Sequence, residues 1–96
     1  MEKDALRKAI SSYQSLIPPA YQPIVSAKDS LDALITLSLL MGGSSIYIPR
    51  ARSMFAECIE QDIRNRYNGF NLTALALDYG YTPRYLRSIL SKKGLS

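Results

Sequence analysis

The chain has 96 residues, a net charge of +4, one cysteine and no histidine. That length allows one domain or two very small ones, with a core modest enough that dimerisation is a common remedy. The absence of histidine and the single Cys58 exclude most metal sites, Ser-His-Asp and Cys-His nucleophile arrangements, and an internal disulfide. No cofactor, no metal and no catalytic residue are expected.

One cysteine fits a reducing cytoplasm. The opening residues MEKDALRK carry no apolar secretory core, so a cytoplasmic protein is expected. The most apolar stretch, Leu31 to Met41, contains Asp32 and falls short of the roughly 20 residues that span a bilayer. Charge is uneven. Lys3, Arg7, Lys8 and Lys28 balance Glu2, Asp4, Asp29 and Asp32 in the first half. Arg50, Arg52, Arg64, Arg66, Arg84, Arg87, Lys92 and Lys93 outweigh Glu57, Glu60, Asp62 and Asp78 in the second. An apolar, neutral half that associates and a basic half that meets a polyanion are expected. The alternative reading of the charge is a solvated basic tail.

In chain order, Leu6, Ala9, Ile10, Tyr13, Leu16 and Ile17 form a helical stripe over residues 4–17, with Asp4 as cap or first-turn acid. Pro18-Pro19 ends it, and Ala20 to Val25 reads as a loop. A second helix starts near Ser26 to Asp29, which have capping-box spacing, and runs to Met41. Leu31, Leu34 and Ile35 lie on one side of it, and Ala33, Leu37 and Leu40 on another. A helix apolar on two sides needs cover on both, and a second copy of the chain is expected to supply it. The competing reading is a monomer covered by its own C-terminal half.

Gly42-Gly43 breaks this helix and is the expected hinge. Residues 44–49, SSIYIP, read as a short strand stopped by Pro49. A lone strand leaves its backbone unpaired, so Ile46 and Ile48 are expected to meet the same strand of a second copy. A helix over Ala51 to Tyr67 then carries Phe55, Ile59 and Ile63 inward, with Cys58 in the core. Glu60–Arg64 and Asp62–Arg66 read as surface pairs. Asn68-Gly69 is a turn.

Asn71 is placed as the cap of a short helix, 72–79. Gly80 supplies the turn, Thr82 caps a final helix with Pro83 in its first position, and that helix runs to about Lys92. Helix, short glycine turn, helix is the pattern of a helix-turn-helix. Ala76 sits where the two helices would cross, and Leu75, Tyr79, Tyr81, Leu86 and Ile89 fall inward. Thr82, Arg84, Tyr85, Arg87, Ser88, Lys92 and Lys93 are then the expected DNA-binding residues, with Arg50, Arg52, Arg64 and Arg66 as candidates to extend the phosphate contact or, alternatively, as solvated surface charges.

Two motifs together carry a resemblance. Gly42-Gly43-Ser44-Ser45-Ile46-Tyr47-Ile48-Pro49-Arg50 resembles the Gly-Gly-x-x-Ile-Tyr-Ile-Pro-Arg element of the Mor (middle operon regulator) transcription activators of Mu-like phages and prophages. Tyr67-Asn68-Gly69-Phe70-Asn71, with Leu75-Ala76, Tyr79 and Thr82, is similar to that family's Phe-Asn-Gly-x-Asn, Leu-Ala, Tyr, Ser/Thr series. Ser45 stands where related proteins have Gln, and Ala74 where they often have Glu. The resemblance implies a homodimer built from N-terminal helices, an antiparallel strand pair between subunits, and one helix-turn-helix per subunit. It implies binding to a dyad site in double-stranded DNA, with Tyr47 near the minor groove. It also implies recruitment of host RNA polymerase in the bacterial cell, at the nucleoid.

The expected architecture is therefore mainly α: a helical dimerisation region over 1–43, a strand linker over 44–50, and a helix-turn-helix domain over 51–96. The expected function is a dimeric, sequence-specific activator with no membrane association. A repressor or a DNA-bending accessory protein is the alternative, and a protein-only helical adaptor a more distant one.

Overall fold

The computed structural model describes the backbone of residues 1–94 and the side chains as far as Ser91. Among these residues there are seven α-helices and no strand.

Helix α1 spans Lys3–Ser12. Its cap is Glu2, two residues before Asp4, which is the first-turn acid, and the Glu2 carboxylate accepts the Asp4 N–H at 3.1 Å. The helix also ends earlier than the apolar stripe suggests. Tyr13 leaves helical geometry, and a 3-10 turn over Gln14–Leu16 follows. Pro18 holds Ile17 extended (φ −69°, ψ 139°), as a following proline requires. Ile17 is nonetheless buried.

The expected loop at 20–25 is instead structured. A 3-10 turn over Pro19–Tyr21 leads into α2, Gln22–Val25. Pro19 and Pro23 both sit at first-turn positions, where a missing N–H costs nothing. The Gln22 amide donates to the Gln14 and Ile17 carbonyls at 2.8 and 2.9 Å, tying the turn together.

Helix α3 spans Ser30–Met41. Its capping box is shifted from the expected pair to the next. The Asp29 carboxylate accepts the Asp32 N–H at 2.7 Å, and the Asp32 carboxylate accepts the Lys28 N–H at 3.0 Å. Helix α3 packs on α2, and none of its residues is buried.

The expected helix over 51–67 is two helices. Helix α4, Ala51–Met54, stops at Phe55 (φ −111°, ψ 20°), and α5 covers Ala56–Arg66. The break turns Phe55 against the core. Helices α6, Leu72–Tyr79, and α7, Pro83–Gly94, complete the chain.

The core joins both ends of the sequence. Ala5 and Ala9 of α1 pack with Ile59 and Ile63 of α5, Leu75, Ala76 and Tyr79 of α6, and Leu86 and Ile89 of α7. Fully burying a side chain such as Ile59 or Leu86 contributes roughly 1.5–3 kcal/mol. Helix α1 thus packs on α5 and α6, although the sequence groups it with α3. The molecule is elongated, 46 × 23 × 22 Å, with α3 resting on α2 and not on this core.

Candidate nucleic-acid interface

The loop before α6 is fixed by two asparagines. The Asn68 side chain accepts the N–H groups of Phe70 and Asn71 at 2.8 and 3.0 Å. The Asn71 side chain accepts the Asn68 N–H at 3.0 Å and donates to the Arg66 carbonyl at 2.9 Å. Asn71 stands at the cap position of α6 but makes no capping hydrogen bond, because its side chain is used in this loop.

Helix α6 ends in a Schellman arrangement. Tyr81 N–H donates to the Ala76 carbonyl at 2.9 Å, and Gly80 N–H to the Leu77 carbonyl at 3.3 Å. Gly80 has φ +67°, a conformation that favours glycine. The N-terminal segment lies over this turn. Glu2 N–H donates to the Asp78 carbonyl at 2.7 Å, and a Cβ on Gly80 would come within 3.1 Å of the Met1 nitrogen. Ala76 is buried, as the close approach of the chain demands.

Helix α7 starts as its sequence dictates. Thr82 Oγ1 accepts the Tyr85 N–H at 3.1 Å, and Pro83 takes the first helical position. Leu86 and Ile89 bury the inner side, while Thr82, Arg84, Tyr85, Arg87 and Ser88 are exposed. One helix therefore brings five of the expected DNA-binding residues onto the surface, with no acid among residues 80–96. The backbone of Lys92 and Lys93 belongs to α7, and their side chains lie outside the described residues.

Tyr81, expected to fall inward, is half-buried against the core and forms a junction that the spacing did not signal. The Arg52 guanidinium carbon of α4 lies 4.5 Å from the centre of its ring. The Tyr85 ring meets it edge-on at 4.9 Å and 84°. Burial pushes the Tyr81 hydroxyl above the ordinary tyrosine value, and the Arg52 charge works in the opposite direction.

Beneath the turn lies a second cluster. The buried Asp62 accepts the Tyr79 hydroxyl. Arg66 bonds Asp62 at 3.1 Å and Asp78 at 3.0 Å, joining α5 to α6. Partial burial opposes the Arg66 charge, but the hydrogen bonds to Asp78 and Asp62 prevail and raise its pKa. The Asp62–Arg66 pair forms as the i,i+4 spacing predicts, but Asp62 is an interior acid and not a surface one. Nothing in the sequence spacing alone signals its contact with Tyr79. Arg64 pairs with Glu60 at 3.5 Å, as the spacing predicts. Cys58 is buried, and its thiol donates to the Tyr13 carbonyl at 3.3 Å. Burial, then the Glu57 charge, pushes that thiol up, so it is a packing group.

The residues expected at a dimer contact are mostly bare in the single chain. Leu31, Leu34, Ile35 and Leu40 are exposed, and Leu37 is half-buried. Leu39, which the two-sided reading of the helix passed over, is 81% exposed. Ile46, Tyr47, Ile48 and Arg50 are exposed in a run with neither helix nor strand, so the strand expected over 44–49 is not formed in the single chain. Gly42 and Gly43 join the two. A Cβ on Gly42 would overlap the Ser38 carbonyl, and Gly43 has φ +78°.

Fold and surface together define a small helical protein that presents a basic helix and a separate apolar arm. The Mor transcription activator family model matches residues 6–94, and the chain belongs to that family. It is a family of transcription regulators, not of enzymes. No curated protein and no solved structure matches the chain. Among the described residues, no helix is long and apolar enough to cross a membrane.

Proposed function

We propose that this protein is a sequence-specific DNA-binding activator that works as a homodimer on a dyad site. The observation that carries the reading is the exposed outer side of α7. Arg84 and Arg87 stand there with Thr82, Tyr85 and Ser88, while Leu86 and Ile89 anchor the helix from behind. Arg87 and Arg84 read or clamp the major groove, since a guanidinium bonds guanine or phosphate with two parallel hydrogen bonds. Thr82 and Ser88 supply shorter contacts, and Lys92 and Lys93 add charge.

The dimer is assigned to α3 and segment 44–50 after it. Leu31, Leu34, Ile35, Leu37 and Leu40, joined by Leu39, supply the apolar face. Ile46 and Ile48 lie in the segment that becomes a strand on pairing with its twofold mate, and Tyr47 and Arg50 face the DNA between half-sites. Exposure of so many large apolar side chains in a 96-residue chain supports this assignment. Gly42-Gly43 lets the half-site spacing adjust. Membership of an activator family supports recruitment of host RNA polymerase and action inside the bacterial cell.

Transcription in vitro tests the reading. On a template with the bound site upstream, the protein is expected to raise initiation by bacterial polymerase, and Arg87→Ala to abolish the rise. Lowered initiation at a bound site would make the protein a repressor.

A further inference from the structure

We infer that Arg52 is a positioning residue for α7, acting through the ring of Tyr81. The inference rests on the reading of α7 as the helix that meets DNA. Its geometry is local and complete. Tyr81 is half-buried and fixed to α6 through its N–H on the Ala76 carbonyl. The Arg52 guanidinium covers its ring at 4.5 Å. The Tyr85 ring, exposed on α7, stands edge-on against the same ring at 4.9 Å.

Arg52 is a residue of α4, two positions after Arg50, whose carbonyl opens that helix. Segment 44–49, which is neither helix nor strand, ends immediately before Arg50. The chain therefore leads from that segment directly into α4, whose Arg52 contacts Tyr81, which in turn contacts Tyr85. A solvated arginine samples many rotamers, whereas one stacked on an aromatic ring holds its plane. The stack fixes α4 against the start of α7, and so fixes the angle at which α7 is offered relative to the linker.

The test separates this role from a plain phosphate contact and from the DNA reading itself. Arg52→Met removes the cation at an exposed position, and Tyr81→Phe keeps the ring. Amide hydrogen exchange of the free protein is measured over residues 82–88. Arg52→Met is expected to speed exchange there and Tyr81→Phe to leave it unchanged. Unaltered exchange in Arg52→Met overturns the inference without reference to DNA.

Affinity for duplex DNA across salt concentrations supplies the second readout. Arg52→Met is expected to weaken binding roughly two- to fivefold with the same salt slope, the scale of an exposed cation–π contact. Adding Tyr81→Leu to Arg52→Met should cost less than Tyr81→Leu alone. A slope reduced by about one would make Arg52 a phosphate ligand and overturn the positioning role. Faster exchange in Arg52→Met with no DNA binding by the unaltered protein would retain the stack and reject the DNA reading.

Discussion

The Tyr79 hydroxyl donates to the Asp62 carboxylate beneath the turn that joins α6 to α7. The two residues are far apart in sequence, and the bond pins the end of α6 to the middle of α5. Arg66 extends the pin to Asp78, so the turn that presents α7 rests on a charged, hydrogen-bonded base. Tyr79→Phe leaves a buried carboxylate short of one donor. The expected cost is about 1–3 kcal/mol, read as a drop in thermal midpoint of roughly 4–8 °C per kcal/mol. An unshifted midpoint would show that the bond contributes nothing.

The same tyrosine sets a pH dependence. Tyr79 is pushed above the ordinary tyrosine value, first by burial and then by the Asp62 carboxylate, and Tyr81 shares the direction. A raised value in the fold favours the protonated form. The stabilising contribution is therefore whole below the unfolded value of about 10 and is lost as pH rises above it. Melting curves taken from about pH 8 to about pH 11 should show a fall that begins near 10 and is shallower in Tyr79→Phe. Equal falls in both proteins would assign the effect elsewhere.

Helix α3 makes a separate prediction. Leu34 is 59% and Leu39 81% exposed in the single chain, so an acidic side chain fits either position without disturbing the core. Leu34→Asp and Leu39→Asp are expected to give folded monomers in sedimentation. Leu37 is half-buried, and Leu37→Asp is expected to give monomer or insoluble protein. Intact dimers of all three variants would move the interface off α3.

The glycine pair links the arm to the DNA-facing part. Gly43 has φ +78°, and Gly42 has no room for a Cβ beside the Ser38 carbonyl. Replacing both with valine is expected to reduce DNA affinity more than dimerisation. Equal affinity after the change would deny the pair a hinge role.

The two ends of the fold differed in how plainly the sequence announced them. Helix α7 was legible because its cap, its first-position proline and its inward Leu86 and Ile89 all agree, and Gly80 marks the turn by itself. Helix α3 was legible by its leucines. The break at Phe55 was not, because Phe55 keeps the four-residue spacing whether or not the helix is continuous. The early end of α1 was hidden for the same reason: Ile17 continues the stripe and is buried, but a 3-10 turn delivers it. The contacts of Asp62 with Tyr79 and of Arg52 with Tyr81 escaped because packing between helices brings these partners together. Spacing within one helix gives no information about such contacts.

Selection from random duplex DNA with the purified protein tests most directly whether α7 reads sequence from a twofold-symmetric protein. An enriched inverted repeat with fixed spacing is expected. Arg87→Ala should then relax one base position in each half-site and cost about 1–3 kcal/mol in affinity, with the protein still folded. A pool without enrichment, bound only through contacts that vanish at modest salt, would contradict sequence reading by α7 and leave backbone binding alone.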